Sequence, residues 1–126
     1  MKLFFFFYLP FQVRCFLLLY PHCVLSFSVE TSLTSYSGDQ TISEGSNVTL
    51  LCAATGKPTP NIIWTRVLEN GTDGEQVFLG NPWIIVNISR TITGTYRCTA
   101  YNGIGNPVNH SLHINVFCKY RHVPFR

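Results

Sequence analysis

The stretch GTYRCTAYNGIGN, residues 94–106, sets a cysteine two positions after a tyrosine in a run that alternates like a strand. Cys98 is one of a pair that constrains everything around it. Cys52 closes NVTLLC (47–52), and between the two cysteines lies Trp64, in NIIWTRV (61–67). Whether Cys98 is a metal ligand, a nucleophile or one end of a crosslink decides what such a chain can fold into.

Strand parity narrows the choice. From Val29 onward the chain shows no apolar period of 3.6; it reads as short alternating runs separated by turn residues. In a strand, alternate residues share a face. That parity puts Val48, Leu50 and Cys52 together, then Ile62 with Trp64, and then Tyr96, Cys98 and Ala100. GEQVFLG (74–80) is a short strand between glycines, and WIIVNI (83–88) buries Trp83 and Ile85. SLHINV (111–116) turns Leu112, Ile114 and Val116 inward. One or two weaker strands between Val29 and Ser43 bring the count to about seven or eight, spaced as in an all-β sandwich of two antiparallel sheets.

The compartment comes from the other end of the chain. MKLFFFFYLPFQVRCFLLLYPHCVLSFS has a positive start, apolar runs and small residues, Ser26 and Ser28, placed for a cut. This is the layout of a secretory signal peptide over 1–28. Arg14, Pro10, Pro21 and His22 break the run before it reaches the ~20 apolar residues a membrane span needs. Cys15 and Cys23 leave with this leader. Cys52, Cys98 and Cys118 then stand in an oxidising compartment, where pairing is the default, and no two have zinc or redox spacing. Cys52 and Cys98 both face inward, with Trp64 between them. A disulfide joining the two sheets across a buried tryptophan accounts for all three, and closing so long a loop should remove about 4 kcal/mol of unfolded-state entropy. Cys118, past the last core position, is left without a partner.

The residues also carry a resemblance. GKPTPNIIW (56–64) and GTYRCTAYNGIGN match, position by position, the patterns G-x-P-x-P-x-I-x-W and G-x-Y-x-C-x-A-x-N-x-x-G. The chain therefore resembles the I-set of the immunoglobulin superfamily, and within it adhesion molecules of the neurotrimin, lachesin and hemicentin type. The resemblance implies a domain over 29–117, followed by a basic tail, 118–126, that reads as the start of a continuation. It makes Trp64 and Tyr96 core residues, with the Tyr96 hydroxyl bonded back to the chain upstream. Two positions depart from the pattern: Ile92 stands where an aspartate is usual, and the arginine that normally pairs with it is missing from 75–82. Losing both partners leaves no stranded charge.

Charge and chemistry exclude most other classes. Within 29–117 four basic residues, Lys57, Arg66, Arg90 and Arg97, face six acids, a balance of −2. Nucleic acid is not a partner for such a surface. His110 and His113, three apart, fall on opposite faces of a strand and do not form a metal site. Glu69, Asp73 and Glu75 cluster about the turn ENGTDGE, where Asn70-Gly71 and Asp73-Gly74 suit turn geometry. No nucleophile elbow or phosphate loop is present. We expect no catalysis, no cofactor, no metal and no small-molecule substrate.

Recognition remains. Four sequons, at Asn47, Asn70, Asn87 and Asn109, fall at outward or turn positions and are candidate glycosylation sites. Outward on the strands around Cys98 stand Ile63, Arg97 and Tyr101, a composition found in protein-binding surfaces and equally in ordinary sheet surfaces, where such cross-strand pairs simply stabilise. The expected function is a secreted or cell-surface recognition module of adhesion or receptor type, binding an extracellular protein, homophilic or heterophilic. The competing expectation is a matrix spacer, or a piece of a larger receptor with several such domains. Membrane attachment is expected only in that last case.

Overall fold

Alternation of apolar and polar residues gives each strand one face for the core and one for water. The computed structural model describes residues 12–13 and 27–119. The expected leader lies outside the described residues except for Gln12–Val13 and Phe27–Ser28, and the tail except for Cys118 and Lys119. Among the described residues ten strands run in order: β1 Gln12–Val13, β2 Phe27–Tyr36, β3 Gln40–Ser43, β4 Val48–Leu50, β5 Cys52–Lys57, β6 Asn61–Val67, β7 Asp73–Leu79, β8 Trp83–Ile85, β9 Gly94–Tyr101 and β10 Val108–Phe117. A 3-10 turn, Arg90–Ile92, precedes β9. None of the described elements is a helix long and apolar enough to cross a membrane.

The strands form two layers. In the first, β2 pairs with β5 and with β1, and β4 pairs with β8. In the second the order is β3-β10-β9-β6-β7. The sandwich expected from the strand rhythm is thus the architecture found.

Its pairings differ from expectation in two places. The expected strand 47–52 is split at Leu51, because Ser37 hooks that residue: its N–H donates to Ser37 Oγ at 2.8 Å, and its carbonyl accepts the Ser37 N–H at 2.8 Å. The inward set Val48, Leu50 and Cys52 survives the split, all buried. Second, β3 pairs with β10 in parallel. The chain crosses between layers at Ser37–Asp39 without reversing, so β3 keeps the direction of β2. Asp39 holds the far side of the crossing by accepting the His113 N–H at 2.8 Å.

The core fills the space between the layers. Trp64, Leu50, Cys52, Cys98 and Ile114 have no exposed surface. Trp83 joins Trp64 to Tyr96, with ring centroids 5.6 and 5.4 Å away, and stacks on Phe78. Burying each such side chain stabilises by roughly 1.5–3 kcal/mol. The run WIIVNI stops being a strand after Ile85. Asn87 adopts φ 52°, a left-handed conformation that asparagine tolerates better than most residues, and this turns Ile88 into the core.

Candidate functional site

Register on the five-stranded sheet fixes which outward side chains are neighbours. Ile63 on β6 lies opposite Thr99 on β9, which lies opposite Asn109 on β10. The next row is Thr65, Arg97 and Ser111, and on the other side Asn61 faces Tyr101. Ile63 therefore sits in the row between Arg97 and Tyr101, the three residues singled out from sequence. The structure adds one more. Leu79, paired with Ile63 from β7, is 63% exposed. Alternation does not single it out in sequence, because Val77, Phe78 and Leu79 are consecutive apolar residues and Val77 and Phe78 both pack on the core across a shifted register.

Beside Ile63 and Leu79 opens a recess of ≈ 400 Å³, walled by Pro60, Asn61, Ile62, Gly80 and Asn81. Its walls are tied to both layers. The Gly80 N–H donates to the Ile62 carbonyl at 2.8 Å, and Asn81 Oδ1 accepts the Cys52 N–H at 2.8 Å. A recess anchored in this way is pre-formed, which lowers the ordering cost of filling it.

The polar flank is equally fixed. Arg97 Nη1 contacts Asp73 Oδ1 at 2.9 Å, its Nε donates to Ser111 Oγ at 3.1 Å, and its Nη2 donates to the Gly71 carbonyl at 3.4 Å. Thr65 Oγ1 donates to the same Asp73 oxygen at 3.2 Å. Arg97 is a clamped side chain, not a free cation. This corrects the reading of Asp73-Gly74 as turn residues. Asp73 begins β7, and Gly74 packs against the Arg66 carbonyl and Leu68. The turn ends earlier, where the Leu68 N–H donates to the Thr72 carbonyl and Gly71 takes φ 83°.

Each remaining sequence candidate has a definite place. Cys52 and Cys98 form a disulfide across the layers, with Cα atoms 6.4 Å apart. Cys118 is exposed and unpaired. Asn109 lies on the outer face just described, and Asn70 in the β6–β7 turn. Asn47 and Asn87 lie on the other layer, where Asn47 Oδ1 accepts the Asn87 N–H at 2.9 Å. His110 stacks on Tyr36, with centroids 3.8 Å apart, while His113 Nδ1 bonds Thr95 Oγ1 at 3.2 Å.

At the seam below Trp83, the Tyr96 hydroxyl donates to the Ile92 carbonyl at 2.7 Å. Arg66, which sequence reasoning missed, supplies a cation here in place of the absent aspartate–arginine pair. It donates to the Thr91 and Thr93 carbonyls at 3.4 and 3.1 Å and lies over the Tyr96 ring, 5.8 Å from its centroid. Burial raises the Tyr96 phenol above its ordinary 10.0, and the Arg66 charge partly opposes this.

The acids are dispersed in structural contacts. Glu44 pairs with Arg90 at 3.2 Å, Asp39 caps His113, and Asp73 holds Arg97. Among the described residues no cluster of three or more His, Cys, Asp or Glu side chains is placed to hold a metal. What the surface offers is an apolar strip, Ile63 and Leu79, beside a small recess.

Comparison with known proteins gives this surface its context. The chain is 37% identical over 84 residues to limbic system-associated membrane protein of Gallus gallus, covering 65% of this chain and 24% of that protein. To neuronal growth regulator 1 of Gallus gallus it is 37% identical over 83 residues, covering 66% and 23%. It thus spans about a quarter of the length of these curated relatives. Among solved structures it superposes on Dpr2 Ig1-Ig2 in complex with DIP-Theta Ig1-Ig3, with TM-score 0.60, 39% identity, 71% of this chain and 32% of that one. It also superposes on Dpr11 IG1 bound to DIP-gamma IG+IG2, with TM-score 0.61, 26% identity and 71% and 48% coverage. The family model described as immunoglobulin domain matches residues 32–102. With more than half of its length matched by that model, the chain belongs to the immunoglobulin domain family.

Proposed function

We propose that this chain is a non-catalytic extracellular recognition domain that docks another protein through the outer face of its five-stranded sheet. The carrying observation is the strip formed by Ile63, Leu79 and Tyr101, two of them well exposed, beside a pre-formed recess and a clamped arginine. Exposed apolar residues grouped around a pocket and rimmed by polar ones are the usual composition of an interface centre. The solved relatives named above were captured as complexes between immunoglobulin domains, which supports a partner of the same fold, a second copy included. The leader expected from sequence, the disulfide and the relative named a membrane protein support a secreted or cell-surface location.

The spacer reading keeps one observation in its favour. Near its start β2 sets Val29 opposite Lys57, whereas β10 ends beside Glu44, whose N–H donates to the Phe117 carbonyl. The chain enters and leaves at opposite ends of the sandwich, as a link in an array would. Binding of the secreted protein to itself and to a panel of extracellular immunoglobulin domains separates the two. A specific partner lost on Leu79→Asp supports docking; silence across the panel supports the spacer.

A further inference from the structure

The outer face of the first layer carries a second apolar strip. On β8 Ile84 is 57% exposed, Val86 just beyond its end is 68% exposed, and Leu51 lies nearby at 39%. β8 pairs with β4 alone among the described strands, so it is an edge. A bare apolar edge invites pairing with other chains, and native proteins cover or charge such edges. No charged residue stands in Trp83–Ile88, so the edge's own sequence does not screen Ile84 and Val86.

Register shows what is placed to do so. Val48 pairs with Ile85 and Thr49 with Ile84, so the next step sets Asn47 across from Val86. Asn47 and Thr49 are both exposed on the same outward face as Ile84 and Val86, and they are the first and third residues of a sequon. Asn47 is held by its oxygen, through Oδ1 and the Asn87 N–H at 2.9 Å. Among the described residues its Nδ2, the atom a sugar joins, has no hydrogen-bond partner.

We infer that Asn47 carries an N-linked glycan whose first sugars lie over Val86 and Ile84 and cover the β8 edge. The donor is an oligosaccharide carried on a lipid diphosphate. Nδ2 loses one proton and bonds the anomeric carbon, while the carbon–oxygen bond to the diphosphate breaks and the lipid diphosphate leaves with the electron pair; nothing is oxidised or reduced. The C–H face of a pyranose ring is apolar and packs on branched aliphatic side chains, leaving its hydroxyls to water. The inference rests on the extracellular reading and not on which sheet docks a partner.

The test is made on the full chain secreted from eukaryotic cells. Enzymatic release of glycans in heavy-oxygen water marks each occupied asparagine by mass, and Asn47 is expected to be marked. Asn47→Gln and Thr49→Ala should both remove the mark and both raise apolar-dye fluorescence and the self-associated fraction about two-fold or more. Thr49→Ala keeps the Asn47–Asn87 hydrogen bond, so it isolates the sugar from the fold. Adding Ile84→Thr and Val86→Thr should reverse the rise. An unmarked Asn47 beside a marked Asn109 overturns the inference, as does Thr49→Ala protein with unchanged dye binding and size. If none of the four asparagines is marked, the inference falls together with the extracellular reading.

Discussion

The two outer faces of the sandwich are both partly apolar, yet they differ in how that apolar surface is held. On the five-stranded sheet, Ile63 lies inside the ladder and Leu79 on its β7 edge, beside a recess braced from both layers and an arginine fixed by Asp73, Ser111 and Gly71. On the first layer, Ile84 lies on a three-residue edge strand and Val86 just beyond it, with two sequons beside them. The same hydrophobic effect acts on both. What differs is pre-organisation, and the docking proposed above uses the first face while the inferred glycan lies on the second.

Both faces depend on the two layers being locked together, and removing the lock should have the largest effect. Cys52→Ala or Cys98→Ala deletes the bond between β5 and β9, and the expected loss is about 2–5 kcal/mol, or retention during secretion. Secretion yield and denaturant unfolding check this. A mutant with unchanged unfolding would mean the aromatic cluster alone joins the layers.

Next in size is a charge placed on each face in turn. Leu79→Asp should weaken partner binding at least ~10-fold, the usual scale for a residue at an interface centre. Val86→Asp, equally exposed, should leave affinity unchanged. Both sites are open to water, so neither variant should unfold, and circular dichroism controls for that. Loss of binding in Val86→Asp with none in Leu79→Asp would exchange the roles of the faces.

How far sequence reveals these faces follows from the range of the interactions. Period-two alternation is local, so the inward places of Cys52, Trp64, Tyr96 and Cys98 and the outward ones of Ile63 and Tyr101 are readable directly. The Ser37–Leu51 hook and the parallel β3 depend on residues brought together by the layer crossing, which no local pattern encodes. The left-handed Asn87 reverses parity at one residue and sends Ile88 inward where alternation would not. Arg97 is visible as an outward cation, but its clamp needs Asp73, from a different strand, and the place of Arg66 depends on the turn at 90–93.

A smaller effect belongs to the seam on which both faces rest. Burial raises the Tyr96 phenol, so above pH 10.0 the unfolded chain loses this proton before the folded one does. Stability from this group is complete below pH 10.0 and falls as pH rises through the folded value. Tyr96→Phe should cost about 1 kcal/mol at neutral pH, the worth of its bond to the Ile92 carbonyl, and flatten the alkaline fall. Urea unfolding from pH 7 to 11 measures both. An unchanged slope would place the alkaline sensitivity elsewhere.

The smallest expected effect discriminates between the faces most directly. Asn109 lies opposite Thr99 on the same outer sheet as Ile63, while Asn47 lies on the other layer. β10 keeps Leu112, Ile114 and Val116 buried and leaves Asn109 exposed, so Pro107 does not turn it aside. A branched sugar on Asn109 would stand at the corner of the face next to Tyr101 and compete with a docking partner. Asn109→Gln should therefore strengthen binding by a few-fold, roughly 1 kcal/mol or less, since it removes an obstruction and adds no contact. Asn47→Gln should leave affinity for the same partner unchanged, whatever it does to self-association. Both are measured as monomers at one concentration, so that association through β8 does not pass for binding. A gain from Asn47→Gln with none from Asn109→Gln would place the partner on the first layer. If neither change moves the affinity, the partner approaches along an edge or an end of the sandwich and the face assignment fails.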